Sequence, residues 1–245
     1  MSENSQKPPS NKSGDGKLRS PVRPPNPEAN SQAPPGAYDH DSEPLSQAQI
    51  ADNPEAALDA LRRKMERVAN QFAAGVINRA QFNAIYGRYN EQRTIIERLT
   101  ERNPENQAWQ QVATPGHTSF LMSHFEARIL YFVVYRINMP ALLMMGGQQQ
   151  PVMAEIEPAL GALINMPNRP RVGLARKAMG KGQWMVLALG EHAVTIVMFM
   201  LEPSAAQLNR IRDLHSDFER ANRMALQRNT QSLDKMVFPQ RALVE

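Results

Sequence analysis

From Asp52 onward the apolar positions follow two different rhythms. Over "DNPEAALDALRRKMERVANQFAAG", Leu58, Leu61, Met65, Val68 and Phe72 recur every three or four residues, the stripe of an amphipathic helix. Asn53 is placed to cap it, with Pro54 at its first position and Glu55 near the positive end of the dipole. Gly75 is placed to end it in a left-handed conformation. Asn78 and Gln81 have capping-box spacing, and Ile77 and Phe82 stand where a hydrophobic staple forms. A second helix, "RAQFNAIYGRYNEQRTIIERLTER", follows with Phe82, Ile85, Tyr89, Ile96 and Leu99 on one side. So short a connection predicts an antiparallel helical hairpin over 52–102.

After a polar stretch with Pro104, Pro115 and Gly116, read as a linker over 103–118, the rhythm changes. "TSFLMSHFEA" fits a short helix or an extra strand. "RILYFVVYRI" and "ALLMMGG", dense in apolar residues and separated by "NMP", predict two strands. "VMAEIEPALGALI" has helical spacing through Val152, Ile156, Leu160 and Leu163, with Pro158 marking a start or a kink. "RVGLARKAM", "QWMVLAL" and "AVTIVMFML" predict three further strands joined by the short turns "GKG" and "GEH". A last helix opens at "EPSAAQLNRIRDL", Pro203 near its first turn, with Leu208, Ile211, Leu214, Phe218 and Ala221 as its stripe. The order ββαβββα over 119–228 predicts an α+β domain: a five-stranded antiparallel sheet with flanking helices. In the tail over 229–245 only "MVFP" is a candidate for docking on the body.

The nearly apolar run "RILYFVVYRINMPALLMMGG" approaches the length of a membrane span. Arg136, Asn138 and Pro140 interrupt it at the middle, where a bilayer tolerates them least, so a soluble strand pair is the reading. Composition alters the picture only at the beginning. Residues 1–51 are rich in Pro, Ser, Asn and Gln with Tyr38 as their one aromatic, and are expected to be a disordered tail. "SPVRPPNP" within it has the form of a polyproline ligand or of a plain flexible tail. The opening residues carry no apolar core of a secretory signal, and with no cysteine in the chain a cytoplasmic setting is expected. The net charge of +4 is mild, and basic residues interleave with acidic ones as on solvated helix faces.

Candidate chemistry is sparse. Absence of cysteine removes disulfides, thiolate zinc sites and cysteine nucleophiles. The five histidines, His40, His117, His124, His192 and His215, show neither HxxxH nor HExxH spacing, and no serine sits in G-x-S-x-G. "GLARKAMGKGQ" imitates a phosphate loop but has the wrong spacing, and Gly182 replaces the magnesium-binding hydroxyl. With no catalytic, cofactor-binding or metal residue to name, a non-enzymatic role is expected. Arg176, Lys177 and Lys181 form the most cationic short stretch, suited to an acidic partner or to a solvated turn. With Arg169 and Arg171 they also allow nucleic-acid binding, the least favoured reading.

The segments "YFVVYRINMPALLMMGG", "MAEIEPALGAL" and "GQWMVLALGEHAVTIVMFMLEPSAAQLNRIRDLHSDFE" together resemble roadblock/longin domains in their order of elements. The resemblance is topological, covers about half the chain and extends to profilin-like sensor folds. It departs at "TSFLMSHFEA", where roadblock domains open with an amphipathic helix. "FAAGVINRAQFNAIYGRY" is similar to SHOCT-type hairpins, which serve oligomerisation or attachment. These resemblances imply an interaction module that dimerises with itself and serves a small GTPase or another signalling protein. A small-molecule sensor between sheet and helix is the alternative.

The strands are apolar on both faces. In the last, Val194, Ile196, Met198 and Met200 point one way and Val197, Phe199 and Leu201 the other. Cover is expected from helices on both faces, with the N-terminal hairpin as one source, or from a second subunit. The residues expected at an interaction surface are Tyr131, Tyr135, Met144, Met145, Arg176, Lys177, Lys181, Val197 and Phe199.

Overall fold

A computed structural model describes residues 53–105, 107–113, 116–228 and 232–244. The disordered tail expected over residues 1–51 lies outside them.

Helix α1, Pro54–Ala73, begins as its sequence predicts: the Asn53 side chain accepts the Glu55 amide at 2.9 Å. It ends at Gly75, whose φ of +72° is the left-handed region open to glycine. Helix α2, Arg79–Arg102, starts with the full capping box, Gln81 N–H to Asn78 Oδ1 at 2.8 Å and Asn78 N–H to Gln81 Oε1 at 2.9 Å. The two helices form the expected hairpin and bury Leu61, Met65, Val68, Ile85, Tyr89 and Ile96 in a core of their own.

Within the stretch read as a linker, Trp109, Val112 and Ala113 pack on this hairpin. The stretch carries a helical turn, α3, Trp109–Val112, whose indole is buried in the hairpin core. Val112 and Ala113 pack against the same core, so a large apolar side chain and two small ones seat this single turn. "TSFLMSHFEA" resolves as a helix, α4, Thr118–His124, held by Gln81 Nε2 donating to Met122 O at 2.7 Å and Asn78 Nδ2 to Phe125 O at 2.8 Å.

The five strands are β1, Ile129–Arg136; β2, Ala141–Gly147; β3, Gly173–Ala178; β4, Trp184–Leu189; and β5, Ala193–Phe199. They pair antiparallel in the order β2-β1-β5-β4-β3, so consecutive hairpins flank the last strand. Helix α5, Met153–Ile164, carries Pro158 in its interior and lies across one face, where Ile156 and Leu160 meet Val133, Met185, Ile196 and Met198. Helix α6, Ala205–Ala221, and the short α7, Arg223–Gln227, cover the other, where Ile211, Phe218 and Leu226 meet Phe132, Val186, Val197 and Phe199. Both apolar faces are therefore covered within this unit. The hairpin does not supply that cover, because its apolar stripe is spent on its own core.

One detail of α6 refines the sequence expectation and one differs from it. Pro203 precedes the helix; Ser204 is the cap and forms a capping box with Gln207. The buried stripe runs through Ile211, His215, Phe218 and then Asn222, with Ala221 exposed. The C-terminal segment docks through "MVFP": Met236 is buried, Phe238 stacks on Phe218 at 5.4 Å, and the Asn222 side chain pairs with both backbone groups of Val237.

Candidate interaction surfaces

The residues expected at a surface separate into three groups. Val197 and Phe199 have no exposed surface and belong to the core under α6, which removes them as interaction residues. On a central strand with both faces covered, neither side of the alternation reaches solvent. Tyr131 and Tyr135 are also buried, and both rings point under the first turn of α5. Tyr131 Oη donates to Glu155 at 3.3 Å, and Tyr135 Oη approaches Met153 Sδ at 3.8 Å. Burial pushes both phenols above their usual range, with Glu155 adding to the effect at Tyr131 and Glu157 at Tyr135. They position α5 rather than offer a surface.

Met144 and Met145 lie on β2, an edge strand. Met144 packs half-buried against the core, whereas Met145 is 52% exposed. With it stand Met139, Leu142, Val152 and Met153, all exposed. Leu142 and Met145 pair with Tyr135 and Val133, which places them on the α5 side of the sheet beside that helix's first turn. Strand β2 contains no charged residue. A register shift at Leu143 leaves that residue bulged out of the ladder.

Arg176, Lys177 and Lys181 lie on β3 and its turn, at the opposite edge. Arg176 donates to Glu202 at 3.2 Å and lies over the Trp184 ring at 5.7 Å. Arg79 of α2 approaches the same carboxylate at 3.8 Å. Lys177 and Lys181 are exposed, and Lys181 has a φ of +60°.

Two polar clusters have no counterpart in the sequence reading. The Glu219 carboxylate accepts the backbone N–H groups of Glu191, His192 and Ala193 at 2.8 to 2.9 Å, closing the β4–β5 turn onto α6. Nearby, Gln240 Nε2 donates to Thr195 Oγ1 at 3.3 Å, and the Thr195 hydroxyl meets Nδ1 of His215 at 2.8 Å, all three buried. Burial holds the His215 imidazole below its usual range, against the opposing pull of Glu219 and the Ala193 carbonyl. The available signal for His215 was its spacing, four after Ile211 and three before Phe218. An open cleft of about 350 Å³ lies beside this cluster, with Arg212, Arg220 and Arg223 on one wall and Glu191 and Asp213 among the neighbouring acids. No group of three or more metal-ligating side chains occurs among the described residues, and no helix there is long and apolar enough to cross a membrane.

These features define an α+β protein whose antiparallel sheet is enclosed by its own helices and is joined to a helical hairpin. Comparison with family models, curated proteins and solved structures finds no match to the chain.

Proposed function

We propose that the chain is a non-enzymatic protein-interaction module that assembles with a second copy of itself. The observation that carries this reading is the exposed patch of Met139, Leu142, Met145, Val152 and Met153 at the uncharged β2 edge. Exposed apolar side chains scattered singly are ordinary, but five of them at one edge strand and the adjoining helix start mark an interaction site. Methionine supplies flexible, polarisable surface that adapts to an apolar partner. The five side chains themselves carry no charge, so they can meet their own copies across a two-fold axis. The bulge at Leu143 favours contact through side chains over a continued ladder.

The ββαβββα order shared with roadblock/longin domains supports the same reading and carries with it the proposal of a GTPase-linked signalling role. The sensor alternative has less support: Ile156, Met185 and Met198, between α5 and the sheet, are fully buried apolar side chains.

Light scattering on the full chain tests the proposal. The wild type should run as a dimer, and Leu142→Glu with Met145→Glu should run as a monomer with an unchanged circular dichroism spectrum. A wild type that stays monomeric at hundreds of micromolar refutes self-assembly. A dimer that survives both substitutions refutes this surface.

A further inference from the structure

The sheet's other open edge has a different construction. β3 pairs with β4 over six consecutive positions without a register shift. Met179 N–H donates to Gln183 O at 2.7 Å, which makes those two a hydrogen-bonded pair at the hairpin end. Because such pairs alternate along an antiparallel ladder, Lys177, Ala175 and Gly173 turn their backbone groups toward β4. The bond from Gly190 N–H to Ala193 O, counted along β4 in the same way, leaves Met185 and Leu187 facing β3, in agreement. Leu174, Arg176 and Ala178 therefore direct their N–H and C=O groups outward along a regular, open edge.

The charge on this edge has one sign. Lys177 projects to the α5 side of the sheet, since its partner Met185 packs there. Lys181 in the following turn and Arg169 and Arg171 in the preceding loop extend the cationic run. Arg176, on the α6 side, is already engaged by Glu202 and the Trp184 ring, which leaves exposed Leu174 and Ala178 beside it.

We propose that the β3 edge takes an extended acidic peptide as a sixth strand. The outward backbone groups match the ladder of another polypeptide, which a nucleic acid does not offer. The cations exclude a second copy of this edge, because two β3 strands side by side would set Lys177 and Arg176 against their own kind. Edge lysines that deter like-charged strands in this way admit a strand of opposite charge. The alternation further specifies the ligand: carboxylates on the side that meets Lys177, and small apolar residues on the side that meets Leu174 and Ala178.

The test is an anisotropy titration of the full chain with a blocked, fluorescein-labelled heptapeptide alternating valine and glutamate. The same peptide N-methylated at its valines, whose N–H groups would face β3, and a single-stranded RNA heptamer serve as competing probes. Saturable binding of the acidic peptide is expected, weakened about tenfold or more by Lys177→Glu and by less with Lys181→Asn, which retains the left-handed turn. The N-methylated peptide should fail to bind, since it cannot complete the ladder. Equal binding of the N-methylated peptide or of the RNA, indifference to Lys177→Glu, or no binding at all overturns the proposal. The Leu142→Glu, Met145→Glu variant should bind the peptide like the wild type, so self-assembly and strand capture fail or succeed separately.

Discussion

The Glu219 carboxylate provides the sharpest test of how the β4–β5 turn is held. It lies in the last turn of α6, where a negative charge opposes the helix dipole and propensity favours a base. Three backbone N–H groups compensate: Oε1 accepts from His192 and Ala193 at 2.8 Å each, and Oε2 accepts from Glu191 at 2.9 Å. Hydrogen bonds to a charged group contribute about 1.5–3 kcal/mol each, with the exposed Glu191 amide at the low end because water replaces its acceptor. Glu219→Gln keeps the acceptor for His192 and Ala193 but turns an amide donor toward the Glu191 N–H. One charge-assisted bond is lost and two are weakened, for a cost of about 2–3 kcal/mol. Urea denaturation followed by circular dichroism should report that loss, and hydrogen exchange should quicken at His192 and Ala193. Gly190 adds a cross-check, since a Cβ there would collide with the Glu219 carboxyl group. Gly190→Ala should destabilise the wild type clearly and cost little in a Glu219→Ala background, a non-additive double-mutant cycle. A Glu219→Gln variant within about 0.5 kcal/mol of wild type, or additive Gly190 and Glu219 substitutions, would refute this account of the turn.

Three further expectations concern a buried imidazole, a buried indole and a left-handed glycine. The native His215 imidazole is held below its unfolded value by burial, so its stabilising effect is complete above about pH 6.5 and is lost as pH falls through the depressed native value. Unfolding free energy should therefore decline on acidification below that point, and His215→Gln should flatten the slope; equal slopes in urea melts would count against it. Trp109→Ala should cost about 3 kcal/mol by emptying the hairpin core, read from the same melts, and a loss under about 1 kcal/mol would show that α3 is not seated there. Gly75→Ala should cost about 2 kcal/mol or more, because its φ is +72° and the new Cβ would lie 2.5 Å from that of Ala205. Ala205→Gly should recover the collision but not the backbone cost, and full recovery in thermal melts would contradict the left-handed requirement.

Local signals were legible in the sequence. Asn53, Asn78 and Gln81 act within three residues of themselves, so their caps could be read without knowing the tertiary contacts. The β-branched run in β1 and the short turns between β3, β4 and β5 fixed the strand count in the same way. Ser204 obeyed the same capping rule, but the neighbouring Pro203 offered a competing start signal. Long-range signals were not legible. Glu219 reaches a turn 26 to 28 residues earlier in the chain, and nothing in its own neighbourhood distinguishes it from a solvated glutamate. Trp109 has only Val112 and Ala113 with it in a single turn, too short a run for the periodicity that identifies a buried helix. Val197 and Phe199 posed a different difficulty. Alternation put them on one apolar face, but it could not say whether α6 or a partner covers that face.

That cover constrains where assembly can occur. Once α5 closes one face of the sheet and α6 with the C-terminal segment closes the other, the open backbone lies at β2 and β3. The two edges differ in both respects that govern partner choice. β2 is uncharged and bulged, which favours side-chain packing against an equally apolar surface; β3 is regular and cationic, which favours backbone pairing with an acidic strand. A head-to-tail contact of β2 on β3 would set Lys177 against Leu142 and Met145, side chains that carry no charge to meet it, at a desolvation cost. The same chemistry that assigns each edge a partner therefore disfavours the open filament that two unlike edges on one sheet would otherwise permit.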